Sequence, residues 1–328
     1  MPQPSDVHVN QFLTDVSVAF AQDPGKFVAE TVFPAVPVPK QSDYFATFPL
    51  SSFVTNNMRR RGPGSAAAEA QYTVSKDSYF CDVFALAKLI DDQERANQDA
   101  PFNADRDATV YLTTQEMIAR ENEWGSAFFT TSVWTGGVKA AGTAGDLVGG
   151  TDFTKWDDAA SDPLGDIATQ AGNIEAATGF WPTDLTVTRP VWNALKNHPD
   201  ILARITGGST IGNPALVTRQ LVAGLMEIER INVSAAVQNT AQENLTATIG
   251  YILGKHALLT YRPPAAGLLV PSAGYTFVWT GLTGSQDGRR ILRYRVDEKH
   301  SDKIEIEATW AQKVVSATLG AFFQNAVS

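Results

Sequence analysis

The chain of 328 residues has one cysteine, Cys81, four histidines and a deficit of positive charge. A lone cysteine excludes an internal disulfide framework and a zinc cluster built on several thiolates, and fits a small buried apolar residue. The histidines, His8, His198, His256 and His300, lie far apart in sequence, and none belongs to a helical pair of metal ligands. A formal net charge of −9 argues against a protein whose main task is to grip nucleic acid through phosphates, though it does not forbid lying beside DNA. No run of about 18 apolar residues is present, and the N-terminus has neither a basic region nor an apolar one, so no membrane span is expected and synthesis in the cytosol is. The sequons at Asn232 and Asn244 carry no meaning without secretion.

Catalytic fingerprints are equally scarce. The segment Gly250-Tyr251-Ile252-Leu253-Gly254-Lys255-His256 is one residue short of a phosphate loop, and His256 stands where a hydroxyl would hold magnesium. It reads better as a strand ending in a glycine turn. Gly208-Ser209-Thr210-Ile211-Gly212 has the wrong order for a nucleophile elbow. Asp91-Asp92 and Asp157-Asp158 are neighbours in sequence, which by itself does not converge two carboxylates on a substrate. No catalytic residue, cofactor or metal ligand is assigned, and a non-enzyme is expected.

What is present is a folded composition, 44% hydrophobic and 19% charged, long enough for about two domains. Residues 1–42 hold four prolines between Pro24 and Pro39 among short apolar runs, the pattern of an extended arm that needs a surface to lie on. Tyr44, Ala46, Phe48 and Leu50 alternate as a strand, and Tyr72 and Val74 mark a second. Between them Arg59-Arg60-Arg61-Gly62-Pro63-Gly64 forms a basic tip. A lone hairpin is marginal in water, so this excursion also implies an external partner.

A long helix is expected over 107–129, with an apolar stripe of Val110, Met117 and Trp124 beside Tyr111 and Ile118. Glu116 and Arg120 are spaced for an i,i+4 pair, and Glu121 and Glu123 add charge to polar faces. Gly136 to Gly150 reads as a mobile loop. Asp162 caps a second helix lined by Leu164, Ile167, Ala168, Ala171 and Ile174, and Gly179 stops it. Thr183–Thr188 alternates as a strand, Arg189-Pro190 and Asn213-Pro214 each open a helix, and strand runs follow at 228–233, 249–253, 257–261 and 275–280. Near the C-terminus a hairpin with a loop over Glu298 to Asp302 would set Arg295 opposite Glu305, Arg293 opposite Glu307 and Tyr294 opposite Ile306.

The stretch from Phe27-Val28-Ala29-Glu30-Thr31-Val32-Phe33-Pro34 to Asp43-Tyr44, the stretch Leu185 to Leu195, and the order of elements resemble the Hong Kong 97-type major capsid proteins of tailed phages. The resemblance covers nearly the whole chain. It implies an α+β capsid fold with an N-terminal arm at 1–42, an extended loop at 43–85, a peripheral domain at 86–159 and 274–312 containing the spine helix, and an axial domain at 160–273 and 313–328. It further implies self-assembly into pentamers and hexamers of an icosahedral or prolate head around double-stranded DNA. The extended loop would lie on a neighbouring copy. Portal and decoration proteins and a separate scaffolding protein are the implied partners, DNA is packaged without sequence preference, and the location is the virion after assembly in the host cytoplasm. Arg59, Arg60 and Arg61 are then candidates to meet a neighbour's Glu116, Glu121 and Glu123. No motif carries covalent crosslinking over. Rival readings are an encapsulin-like compartment, a hydrolase or transferase with an unrecognised site, and a tail or decoration protein.

Overall fold

The structure is a computed structural model and describes residues 22–47, 54–98, 103–140, 152–206, 217–242, 245–267 and 270–328. The helix opening expected at Asn213-Pro214 lies outside these residues, as do residues 141–150 of the expected glycine-rich loop.

The chain enters through a turn at Pro24–Lys26 capped by Asp23, whose side chain accepts from the Gly25 N–H at 2.9 Å. A single helical turn, α1 (Ala29–Val32), leads to β1 (Ala35–Val38). This part of the arm does not wait for an external partner. Val28, Ala29, Val32 and Phe33 are buried in the subunit's own main core. Phe33 stands edge-on to Trp124 at 5.8 Å between ring centres. A Cβ on Gly274 would come within 2.4 Å of the Phe33 ring, so the backbone of a later strand is glycine where the arm crosses it. Pro37 is tolerated because β1 pairs on one side only.

Next come β2 (Ser42–Thr47) and β3 (Ser75–Phe80), paired antiparallel from Ser42↔Phe80 to Thr47↔Ser75. The second strand starts after Tyr72 and Val74, not at them, and every residue from 54 to 78 is exposed. β4 (Asp82–Asp91) and the short α2 (Asp92–Ala96) lead into α3 (Ala104–Phe128). Asn103 caps α3 by accepting from the Arg106 N–H at 3.0 Å.

The buried face of α3 is not the expected stripe. It runs Ala104, Ala108, Leu112, Glu116, Arg120, Glu121 and Trp124, whereas Val110 and Tyr111 are exposed. The ladder of four-residue steps won because Ala104, Ala108 and Leu112 are small or slim enough to seat the helix on Ile90, Ile304 and Ile306. Three charged residues, Glu116, Arg120 and Glu121, follow on the buried side.

β5 (Gly136–Ala140) occupies the start of the expected loop, and β6 (Asp152–Phe153) pairs with it. α4 (Pro163–Thr178) begins and ends where the capping residues require, with Asp162 accepting from the Gly165 N–H at 2.9 Å and Gly179 at φ 77°. Of its expected face only Ala168 is exposed. Then follow β7 (Asp184–Thr188), α5 (Arg189–Asn197), α6 (Pro199–Thr206), α7 (Arg219–Leu225), β8 (Arg230–Ser234), β9 (Val237–Asn239), β10 (Ile249–Tyr251), β11 (Ala257–Thr260), β12 (Gly274–Trp279), α8 (Thr280–Thr283), β13 (Arg289–Val296), β14 (Ser301–Val314) and β15 (Gly320–Gln324).

Two sheets organise these elements. One has order β1-β12-β14-β13 with β4 on the other side of β14, and the other has order β6-β5-β15-β11-β7-β8. β5 and β6, which lie within the 86–159 span, belong to the second sheet.

The β13–β14 register is three residues from the expected one. Arg290 faces Glu307, Leu292 faces Glu305, Arg293 faces Ile304, Tyr294 faces Lys303 and Arg295 faces Asp302. A tighter turn, Asp297 to His300 with His300 at φ 45°, closes the hairpin. The shift is odd, so Ile291 shares the helix-facing side with Ile304 and Ile306 while Leu292 joins Glu305. The pairs Arg293–Glu307 and Arg295–Glu305 do not form.

Candidate functional site

The candidate site is the contact surface, and the charged residues decide how that surface can be used. Arg59, Arg60 and Arg61 all project from the exposed segment, and the Arg61 side chain closes a local turn by donating to the Ser65 carbonyl at 2.5 Å. Their suggested acidic partners are all engaged inside the subunit. Glu116 pairs with Arg120 at 2.9 Å and with Arg289 at 3.1 Å, and its side chain is 3% exposed. Glu30 of the arm contacts both arginines, so Glu116, Arg120, Glu30 and Arg289 close a ring of alternating charge. Burial pushes the Glu116 carboxyl up and the Arg120 guanidinium down, and each is offset by the other's charge.

Glu121 is fully buried and accepts from the Val28 and Ala29 N–H groups at 2.9 and 2.8 Å and from the Ser234 hydroxyl at 3.1 Å. Glu123 accepts from the Trp310 indole at 2.6 Å. Glu116 and Glu121 are therefore enclosed within the subunit, and Glu123 is half-buried with one oxygen taken by Trp310. The i,i+4 spacing of Glu116 and Arg120 was readable, but nothing in the local pattern marked it as buried. Glu30, Arg289 and Ser234, which make these residues an internal lock, carry no sequence signal.

A second lock holds the end of α1. Asp184, fully buried, pairs with Arg230 at 3.0 Å and Arg262 at 3.5 Å, and Arg262 also donates to the Thr31 carbonyl at 2.5 Å. At the far end of the first sheet, Asp302 takes the role expected of Glu305 and Glu307, contacting Arg95, Arg293 and Arg295 at 2.6, 2.9 and 3.5 Å. Hydrogen bonds from Arg293 and Arg95 hold its carboxyl well below the usual carboxylate range. Arg290 bonds Glu307 at 2.5 Å, and the Tyr294 hydroxyl donates to Glu305 at 2.6 Å.

One arrangement resembles hydrolytic machinery. Ser161 Oγ lies 3.1 Å from His198 Nε2, and Asp200 Oδ2 is 3.9 Å from Nδ1. However, Nδ1 accepts from the Asp200 N–H at 3.3 Å, so the ring proton sits on Nε2, facing Ser161 and the Asp158 carbonyl. The lone pair that would activate the serine points the other way, and both Ser161 and His198 are buried. A cleft of about 270 Å³ is lined by Asp162, Trp181, Arg204 and Glu227 among others. Asp162 is spent as the α4 cap, and Trp181 donates to the Glu227 carbonyl at 2.8 Å. Among the described residues no group of three or more histidine, cysteine, aspartate or glutamate side chains could hold a metal, and no helix is long and apolar enough to cross a membrane.

No family model matches the chain. It is 24% identical over 316 residues to the major capsid protein of Pseudomonas phage JBD67, covering 96% of each. It is 23% identical over 273 residues to the major capsid protein of Burkholderia phage BcepMu, covering 82% of each. The chain is similar to tailed-phage major capsid proteins. Solved structures give the fold. A phage-related protein from Bordetella bronchiseptica RB50 matches with TM-score 0.66 at 20% identity over 93% of each chain. The capsid of cyanophage P-SCSP1u matches with TM-score 0.58 at 12% identity, over 98% of this chain and 93% of that one. The encapsulin SrpI from Synechococcus elongatus PCC 7942 matches with TM-score 0.54 at 10% identity, over 99% and 96%. This mixed helix-and-sheet fold is thus shared with capsid chains, and the similarity to major capsid proteins supports a shell-building role.

Proposed function

We propose that the chain is the main subunit of a phage head, assembling with itself into pentamers and hexamers that close an icosahedral or prolate shell around double-stranded DNA. The observation that carries the reading is the similarity to major capsid proteins over 96% of the chain. The exposed segment over 54–78 supports it, because a hairpin that projects from a well-packed subunit suits a neighbouring copy better than water. In this reading the sheet containing β14, together with α3, is the peripheral domain. The six-stranded sheet is the axial domain, and residues 43–85 are the extended loop.

Arg59, Arg60 and Arg61 would meet exposed acidic groups of the next copy. A separate scaffolding protein, a portal and a decoration protein are its proposed partners, and packaged DNA would be touched without sequence preference, in keeping with the −9 charge. The subunit would assemble in the host cytoplasm and reside in the virion.

The likeness to an encapsulin favours one second reading, a compartment around a protein cargo. Electron microscopy of the chain expressed alone and with its scaffold separates the two. Closed shells tens of nanometres across that package DNA support the phage head, whereas small uniform shells filled with host protein support the compartment. A folded monomer that never assembles contradicts both.

A further inference from the structure

Glu121 is the joint between three elements, α1, α3 and β8, and its surroundings are unusual for a charge. It is fully buried, and among the described residues no lysine, arginine or histidine pairs with it. The charged groups on the elements around it are committed elsewhere. On the arm, Lys26 is exposed and Glu30 joins the ring with Arg120 and Arg289. On α3, Glu116 and Arg120 pair with one another and Glu123 takes the Trp310 indole. On β8, Arg230 pairs with Asp184.

The hydrogen bonds around Glu121 fit either protonation state. As a carboxylate, its Oε2 accepts two backbone N–H groups and its Oε1 accepts the Ser234 hydroxyl. As a neutral acid, Oε2 is the carbonyl oxygen and still accepts both N–H groups, while the proton on Oε1 turns the third bond round to donate to Ser234 Oγ. Protonation therefore costs no hydrogen bond, whereas ionisation leaves a negative charge in a dry site with no cation to offset it.

We propose that Glu121 makes the seating of the arm pH-sensitive, carrying a proton in the seated arm under mildly acidic conditions and losing it under mildly alkaline ones, where Val28 to Phe33 loosen from the body. Burial pushes the carboxyl up to about 7, against which the two backbone N–H groups and Ser234 pull only partly. An arm that has lifted away lets water reach Glu121 and returns it to the ordinary glutamate range near about 4.3. The seated state then binds the proton more tightly than the open one. Its advantage is complete below the open-state value, falls as pH rises towards 7, and is flat above.

Trypsin cleavage after Lys26, in the full chain and divided by the rate for an unstructured peptide of the same local sequence, reads the opening. In the unsubstituted protein the corrected rate rises about tenfold from pH 6 to pH 8 and then levels off. In Glu121→Gln it is flat, because the amide reproduces the neutral acid with its oxygen towards the arm and its nitrogen donating to Ser234. A flat profile in the unsubstituted protein, or the same slope in the glutamine variant, overturns the proposal. Should the glutamine variant fail to fold, infrared titration of the unsubstituted protein replaces it. A carboxylic acid band that disappears around pH 7, and whose frequency moves in Ser234→Ala, supports the proposal, and the absence of such a band overturns it.

Discussion

Arg120 shows how far the properties of a residue depend on partners distant in sequence. It is 2% exposed, shares Glu116 with Arg289, reaches Glu30 of the arm, and lies over the Trp310 ring at 4.7 Å. Removing one partner of a buried pair leaves an uncompensated charge, so Arg120→Ala should cost about 3 kcal/mol, the low end of the range because Arg289 still faces Glu116. Glu30 is half exposed, and Glu30→Ala should cost about 1 kcal/mol or less. Chemical denaturation of the two variants checks the contrast, and equal losses would contradict the ring as drawn. Phe33→Ala should cost about 3–5 kcal/mol, because its ring fills the space over Gly274 and beside Trp124. The spacing of Glu116 and Arg120 was legible as a pair. Its burial was not, because periodicity assigns charge to the outer face, and the neutralising groups come from Glu30 and Arg289.

At the level of elements, legibility followed local chemistry. α4 was readable to the residue because Asp162, Pro163 and Gly179 punctuate it through contacts within one turn. The β13–β14 register was not, because arginines alternate with apolar residues along one strand and acids along the other, so pairings several residues apart each match opposite charges. The turn conformation at His300 and the seating of Ile304 and Ile306 under α3 chose between them. The observed register makes a direct prediction. Cysteines replacing Leu292 and Glu305, which lie opposite each other, should oxidise to a disulfide, whereas cysteines replacing Arg295 and Glu305 should not. Mass spectrometry of the two double variants reads the outcome, and the reverse pattern would restore the register expected from charge alone. β5 escaped the sequence because glycine-rich composition mimics a loop, and its place is set by β15, almost two hundred residues later.

For the whole molecule, the two segments that seemed to lack a core diverge. The arm from Val28 to Val38 is satisfied at home, inserted beside β12 and pinned by Glu121, Arg120 and Arg262. The segment over 54–78 instead keeps exposed side chains, Met58, Tyr72 and Val74 among them, that assembly would cover. Replacing Arg59, Arg60 and Arg61 by glutamate should therefore lower shell yield and change its salt dependence without moving the melting temperature of the subunit. Unchanged yield would remove these arginines from the contact. The most direct measurement is sedimentation velocity of the unsubstituted chain beside a variant in which residues 54–74 are replaced by a short glycine-serine turn. Large, uniform particles are expected from the first and a folded, slowly sedimenting subunit of equal thermal stability from the second. Particles of the same size from both, or none from the unsubstituted chain with its scaffold present, would contradict assembly through this segment.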